Sequence, residues 1–99
     1  MAEDSDPFER FCLVLAQIPK GKVCSYGHLA RLASIGHARQ ACYYLRKIPS
    51  DTRLPWHRIV NAQGKISDFS HASTQKKRLI SEGVEFTKAG RIAKTYFID

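Results

Sequence analysis

The sequence predicts a small, mainly α-helical domain built on a helix-turn-helix of the winged-helix-like kind, with a β-hairpin beside it. Three observations carry that expectation. Apolar residues recur at helical spacing in three blocks between positions 7 and 47. The second and third blocks are separated only by a tight, Gly-containing turn. Farther on, "RIV-NAQG-KIS" sets two short β-branched runs about a turn whose Asn61 and Gly64 are strong turn formers. Ninety-nine residues suit one domain spanning 1–99, and 43% hydrophobic content is enough to fold it.

The first helix starts at Asp6-Pro7-Phe8-Glu9, where Asp6 caps, Pro7 suits the first turn and Glu9 follows three residues after the cap. Phe8, Phe11, Cys12, Leu15 and Ile18 then form one apolar face, which Pro19 and Gly21 end. "KVCSY" reads as extended, and Ser25 as the cap of a second helix with Leu29, Ala30, Leu32 and Ala33 inward. After "SIG" comes a third helix at about 37–47, with Ala38, Ala41 and Leu45 left to pack. A fourth helix is expected at roughly 72–82, stopped by Gly83, and the tail turns at 88–90 into a hairpin or docked end. There is no repeat or low-complexity tract.

Charge narrows the function classes. The formal net charge is +7, and from Arg10 to Ser50 there are seven bases and no acid. One-signed charge on a folded segment favours a polyanion, because each neutralised phosphate releases counterions. The third helix carries Arg39, Gln40, Tyr43, Arg46 and Lys47, the side chains of a recognition helix, although a solvated polar face explains them nearly as well. No apolar run approaches a membrane span and the start, "MAEDSDPFER", is too acidic for a signal peptide. Three scattered cysteines read as reduced thiols, so a cytoplasmic protein is expected, nucleoid-associated when on DNA.

One stretch looks like a reactive site with the wrong residue in it. In "LPWHRIV", His57 is a base of the kind that activates a neighbouring thiol or hydroxyl. Its neighbour Trp56 offers only an indole N–H donor, so covalent catalysis through position 56 is excluded. A buried, hydrogen-bonded histidine is the plainer reading of His57.

Taken together, "IPKGKVCSYGHLARLA", Ala38-Arg39, "PWHRIVNAQGKIS" and "LISEGV" resemble the C-terminal domain of the O6-alkylguanine-DNA alkyltransferases, over roughly residues 8–86. Those proteins have Pro-Cys-His-Arg, and the cysteine takes the alkyl group from a flipped guanine. With Trp56 in its place, the chain looks like the alkyltransferase-like subfamily, whose members bind such lesions without repairing them.

The resemblance implies roles residue by residue. Tyr26 would press on the phosphate of the damaged nucleotide, and Arg39 would fill the hole left by the flipped base. Ser25, Ala38, Gln40 and Tyr43 would complete the DNA contact, with the recognition helix in the minor groove. Trp56 would line the lesion pocket with Tyr26, Arg58 and the loop residues Phe69 or Ser70 (His71 being a third possibility for closing it). His57 and Glu82 match the relay that activates the cysteine in true transferases, and Arg58 braces the loop. No cofactor or metal is implied. The expected partners are double-stranded DNA containing O6-alkylguanine and nucleotide excision repair proteins, the protein itself being a monomer. The chain departs from the transferases in having Ile48 where they have an asparagine hinge, "SDFSHAS" for their glycine-rich loop, and Tyr43 and Tyr44 for small residues.

Three rival readings make different demands. An active transferase would need Cys24 or Cys42 as acceptor. A zinc module would need Cys24, His28, His37 and Cys42 to converge tetrahedrally. A sequence-specific helix-turn-helix regulator would prefer an operator whatever the state of its guanines.

Overall fold

The structure, a computed structural model, describes residues 6–49, 52–66 and 72–98. Its elements run α1 (Pro7–Ala16), β1 (Cys24–Ser25), α2 (Tyr26–Ala33), α3 (Ala38–Lys47), β2 (Ile59–Val60) and α4 (Ala72–Ser81). Short 3-10 turns lie at Trp56–Arg58 and Lys94–Tyr96.

Each helix boundary has a chemical cause. Asp6 accepts from the Phe8 N–H at 3.1 Å with Pro7 in the first turn, and Ser25 accepts from the His28 N–H at 3.2 Å. α2 ends where Ser34 takes a left-handed conformation, φ 55°, and Ile35 N–H returns to the Ala30 carbonyl at 3.0 Å. Ser34 is not glycine, and Arg10 of α1 supports the strained turn: its guanidinium donates to the Ala33 carbonyl at 2.8 Å and the Ser34 carbonyl at 2.9 Å. α4 closes with the same motif, Gly83 N–H to the Ile80 carbonyl and Val84 N–H to the Leu79 carbonyl, both at 3.0 Å.

The two strands divide two apolar clusters. Phe11, Leu15, Ile18, Leu29, Ala30, Ala33, Ala41 and Tyr44 pack the three N-terminal helices together, with Cys24 and Ile59 in the same cluster. Val60 belongs instead to a second cluster with Val23, Leu79, Val84 and Ile92. Successive residues of an extended segment point to opposite faces, so Ile59 and Val60 of β2, and Val23 and Cys24 at the start of β1, feed one cluster each. Full burial of a side chain such as Phe11 or Leu29 stabilises by about 1.5–3 kcal/mol.

The expected hairpin is corrected by the strand pairing. β2 pairs with β1, in parallel, with Cys24 opposite Ile59 and Ser25 opposite Val60. The turn after β2 does form: the Asn61 carboxamide oxygen accepts from the N–H groups of Gln63 and Lys65 at 3.0 and 2.8 Å. Its return arm is not a strand among the described residues, and the turn keeps a backbone bond across it, from the Asn61 N–H to the Lys65 carbonyl at 3.2 Å. Gly64 is required there. It has φ +81°, its carbonyl accepts from the Ile92 N–H at 2.8 Å, and an added Cβ would lie 2.5 Å from the Ile92 carbonyl oxygen.

The tail is both hairpin and docked end. Phe86 bridges Ile92 in antiparallel fashion, with the Thr87 N–H donating to the Arg91 carbonyl at 2.8 Å. Phe97 then bridges Val23 in parallel, and Tyr96 and Val23 share the edge of β1.

Candidate nucleic-acid interface

α2 and α3 form the helix-turn-helix, and burial divides α3 into two faces. Ala41 and Tyr44 are buried. Tyr44 packs its ring 5.5 Å from Phe8 and 5.8 Å from Phe11, which is how a tyrosine is accommodated behind this helix. Arg39, Tyr43 and Arg46 are exposed, spaced i, i+4, i+7 along one stripe, and Ala38 is exposed at its start. Tyr43 is 55% exposed, large for an aromatic, and the Lys47 ammonium lies 5.5 Å from its ring. Gln40 is half-buried at the edge of this face.

At the start of α2, Tyr26 is half-buried and packs against the helical cluster. Ser25 differs from the rest of the predicted DNA-contact set. It is 5% exposed and its hydroxyl caps α2, so its role here is to set the start of the helix that carries Tyr26, not to present a side chain at the surface.

The second part of the site is the 3-10 turn at Trp56–Arg58, closed by Arg58 N–H to the Pro55 carbonyl at 3.0 Å. Glu82, just past α4, is its hub. One carboxylate oxygen accepts from His57 Nε2 at 2.7 Å and Arg58 Nη2 at 2.7 Å. The other accepts from Arg58 Nε at 3.0 Å and the Gly21 N–H at 3.3 Å. Arg58 Nη1 reaches the Ile18 carbonyl at 2.6 Å. The network therefore ties the end of α1, the 3-10 turn and the end of α4 together. Gln75, 1% exposed, adds a second clamp, donating to the carbonyls of His57 at 3.1 Å and Ile59 at 2.8 Å.

Protonation follows from these contacts. Burial pushes the Glu82 carboxyl upward, but hydrogen bonds from Arg58, His57 and the Gly21 N–H outweigh it and hold the group at about 2. Burial lowers His57 below the ordinary imidazole value, and Arg58 and Arg78 oppose its protonation while Glu82 favours it. An ionised Glu82 accepts the Nε2 proton of a neutral ring, which leaves Nδ1 as an acceptor. Nδ1 is buried and has no hydrogen-bond partner among the described residues. His57 is thus held by Glu82 on one side, and the neighbouring Trp56 offers only an indole N–H and no atom that a base could activate as a nucleophile.

Trp56 is half-buried, its ring edge-on to His57 at 6.1 Å, with the Arg78 guanidinium 5.3 Å from its centroid. Arg58 bonds to Glu82 and to the Ile18 carbonyl, a bracing arrangement of the turn that carries Trp56. Phe69, Ser70 and His71 lie outside the described residues. Gln75, Arg78 and Arg10 were not singled out from sequence. Gln75, Arg78 and Glu82 stand at i, i+3, i+7, and that stripe toward the 3-10 turn was the available signal.

The rival sites do not assemble. Cys24 is fully buried in the core, and burial raises the Cys42 thiol despite Arg46 nearby, the wrong direction for a nucleophile. Among the described residues no three His, Cys, Asp or Glu side chains converge on a metal position. No helix among them is long and apolar enough to cross a membrane.

Comparison with known proteins agrees with this geometry. Residues 6–84 match the family "6-O-methylguanine DNA methyltransferase, DNA binding domain". A DNA base-flipping protein of Vibrio parahaemolyticus is 44% identical over 82 residues, covering 81% of this chain and 82% of its own length. Alkyltransferase-like protein 1 of Schizosaccharomyces pombe is 41% identical over 75 residues, 72% of this chain and 69% of that protein. Among solved structures, S. pombe Atl1 in complex with damaged DNA containing O6-carboxymethylguanine superposes with a TM-score of 0.81 at 31% identity, over 100% of this chain and 97% of that one. Mycobacterium tuberculosis OGT in complex with DNA gives 0.71 at 28% identity, over 79% and 50%. The chain thus belongs to the 6-O-methylguanine DNA methyltransferase DNA-binding-domain family and, with Trp56 standing beside an intact His57–Glu82–Arg58 network, to its alkyltransferase-like members.

Proposed function

We propose that this chain is a non-enzymatic sensor of O6-alkylguanine in duplex DNA. The observation that carries the reading is Trp56 at the acceptor position while His57, Glu82 and Arg58 keep their mutual hydrogen bonds. An indole cannot take an alkyl group in a simple displacement, but it can hold a base by aromatic contact, worth about 1–3 kcal/mol. The exposed Arg39, Tyr43 and Arg46 stripe lies along DNA, with Ala38 and Gln40 beside it. Arg39 enters the stack, Tyr26 presses on the backbone, and the damaged nucleotide turns out toward Trp56.

The energetics favour a damaged base. An alkyl group on O6 removes the N1 proton and weakens pairing to cytosine, so extrusion costs less than the few kcal/mol of a normal base. Binding without turnover leaves a persistent mark, which suits recruitment of nucleotide excision repair proteins by a monomer. The chain functions as one domain over 1–99, with a loop residue such as Phe69 or Ser70 closing the pocket. Electrophoretic mobility shift with duplexes differing only in O6-methylguanine or guanine tests the reading: tighter binding of the methylated duplex is expected, and equal affinity would remove it. Mass spectrometry after the incubation should find no methylated cysteine.

A further inference from the structure

We infer that Arg10 is a positioning residue for DNA binding: from α1 its guanidinium pins the left-handed turn between α2 and α3, and so sets where Arg39 stands. This rests on the reading above that α3 is the helix that meets DNA.

The turn is short and strained. It runs from Ser34 to His37, between the end of α2 at Ala33 and the start of α3 at Ala38. Ser34 opens it at φ 55° and ψ 47°, a left-handed conformation that glycine adopts freely and a residue with a Cβ resists. Gly36 takes a second positive φ, 101°, and Arg39 follows just inside α3. A rotation at Ser34 is therefore carried through the turn to the residues that begin α3.

Part of what holds the turn comes from another helix. The Ser34 N–H donates to the Arg31 carbonyl at 3.2 Å and the Ile35 N–H to the Ala30 carbonyl at 3.0 Å, bonds that close α2, and the buried Ile35 anchors the middle. Arg10 reaches the next two carbonyls, Nε to Ala33 at 2.8 Å and Nη2 to Ser34 at 2.9 Å. A planar guanidinium presents its donors in a fixed fork, so the two carbonyls are held in one relative orientation. The cation also lies at the negative end of the α2 dipole. α3 has no comparable anchor of its own at its start, because its N-cap, His37, makes no side-chain cap bond. Its buried side chains, Ala41 and Tyr44, come only after Ala38 and Arg39.

The conformational bias sets the size of the effect. A left-handed residue other than glycine is disfavoured by about five- to thirtyfold. Only molecules with the turn closed present Arg39 correctly, and apparent affinity scales with that fraction. Ile35 and the bonds that close α2 retain part of the bias, so Arg10→Met should weaken binding about fivefold. Ser34→Gly removes the penalty that Arg10 offsets, and in the Arg10→Met background it should bring affinity back to within about twofold of wild type.

Fluorescence anisotropy with an O6-methylguanine duplex, repeated over a range of salt concentrations, tests this in wild type, Arg10→Met and Arg10→Met with Ser34→Gly. Far-UV circular dichroism is recorded for each. Arg10→Lys, which keeps a cation but not the fork, should show a smaller loss that Ser34→Gly also reverses, and it replaces Arg10→Met should that variant be unfolded. The slope of log Kd against log salt should stay at the wild-type value in Arg10→Met, because no phosphate contact is removed. A slope lower by about one would make Arg10 a direct phosphate contact and overturn the assignment. Wild-type affinity in a folded Arg10→Met, or no recovery with Ser34→Gly, would overturn it as well. Arg39→Ala is measured alongside to separate the two readings. If it binds as wild type does, the reading of α3 fails and this assignment goes with it. If Arg39→Ala weakens binding and Arg10→Met does not, only the assignment of Arg10 fails.

Discussion

Replacing Glu82 by Gln tests whether the His57–Glu82–Arg58 network serves as a brace. Glu82 accepts four hydrogen bonds, from His57, twice from Arg58, and from the Gly21 N–H. The Arg58 and Glu82 side chains are 15% and 9% exposed, so Glu82→Gln leaves a largely buried guanidinium without its counter-charge. Removing one partner of a buried pair costs about 3–5 kcal/mol, and partial exposure here lowers the expectation to about 3. With a urea slope of about 1–1.5 kcal/mol per molar, the unfolding midpoint should drop by about 2–3 M, read by far-UV circular dichroism.

The same group gives an acid signature. A carboxyl depressed from 4.5 to about 2 contributes stability that is complete above pH 4.5 and is lost as pH falls toward 2. Lowered His57 acts in the same direction below 6.5, because the unfolded ring binds a proton more readily than the folded one. Wild type should therefore lose stability through the window from 4.5 to 2, and Glu82→Gln should lose much less there. Pairing Glu82→Gln with Arg58→Met should recover part of the loss, since no buried charge is then left alone. A single-mutant loss below about 1 kcal/mol, or undiminished acid sensitivity, would refute the brace.

Other perturbations have simpler readouts. Arg39→Ala should cut affinity for an O6-methylguanine duplex about tenfold or more while leaving the unfolding midpoint unchanged, because Arg39 is exposed; a wild-type mobility shift would contradict its role. Ser25→Ala should cost about 1 kcal/mol in urea unfolding through the lost cap of α2, and an unshifted midpoint would show that the cap is not used. Gly64→Ala should destabilise by about 2 kcal/mol or more, combining a positive φ with a contact to Ile92, and calorimetry should show it as a lower Tm.

Legibility in the sequence followed the range of the interactions. The helices were legible because their determinants are local: Asp6, Ser25 and Gly83 mark ends that bond within a few residues, and Phe11, Leu15, Leu29 and Ala41 repeat with the helical period. The missing nucleophile was equally legible, since the identity of Trp56 beside His57 needs no coordinates. The hairpin expectation failed because the Asn61 turn is local whereas strand pairing is not. β2 chose β1, thirty-odd residues away, because both are buried on two faces.

Composition, helix periods and the Trp56 substitution were thus determined by the sequence alone, because each is a property of neighbours along the chain. Tertiary structure decided where lone charges go. It brought Arg58 and His57 onto Glu82 across 24 and 25 positions, placed Arg10 under the turn at Ser34, and laid Arg78 on Trp56. A guanidinium has many possible partners in a sequence and few in a folded interior, where geometry and the cost of burying an unpaired charge select among them.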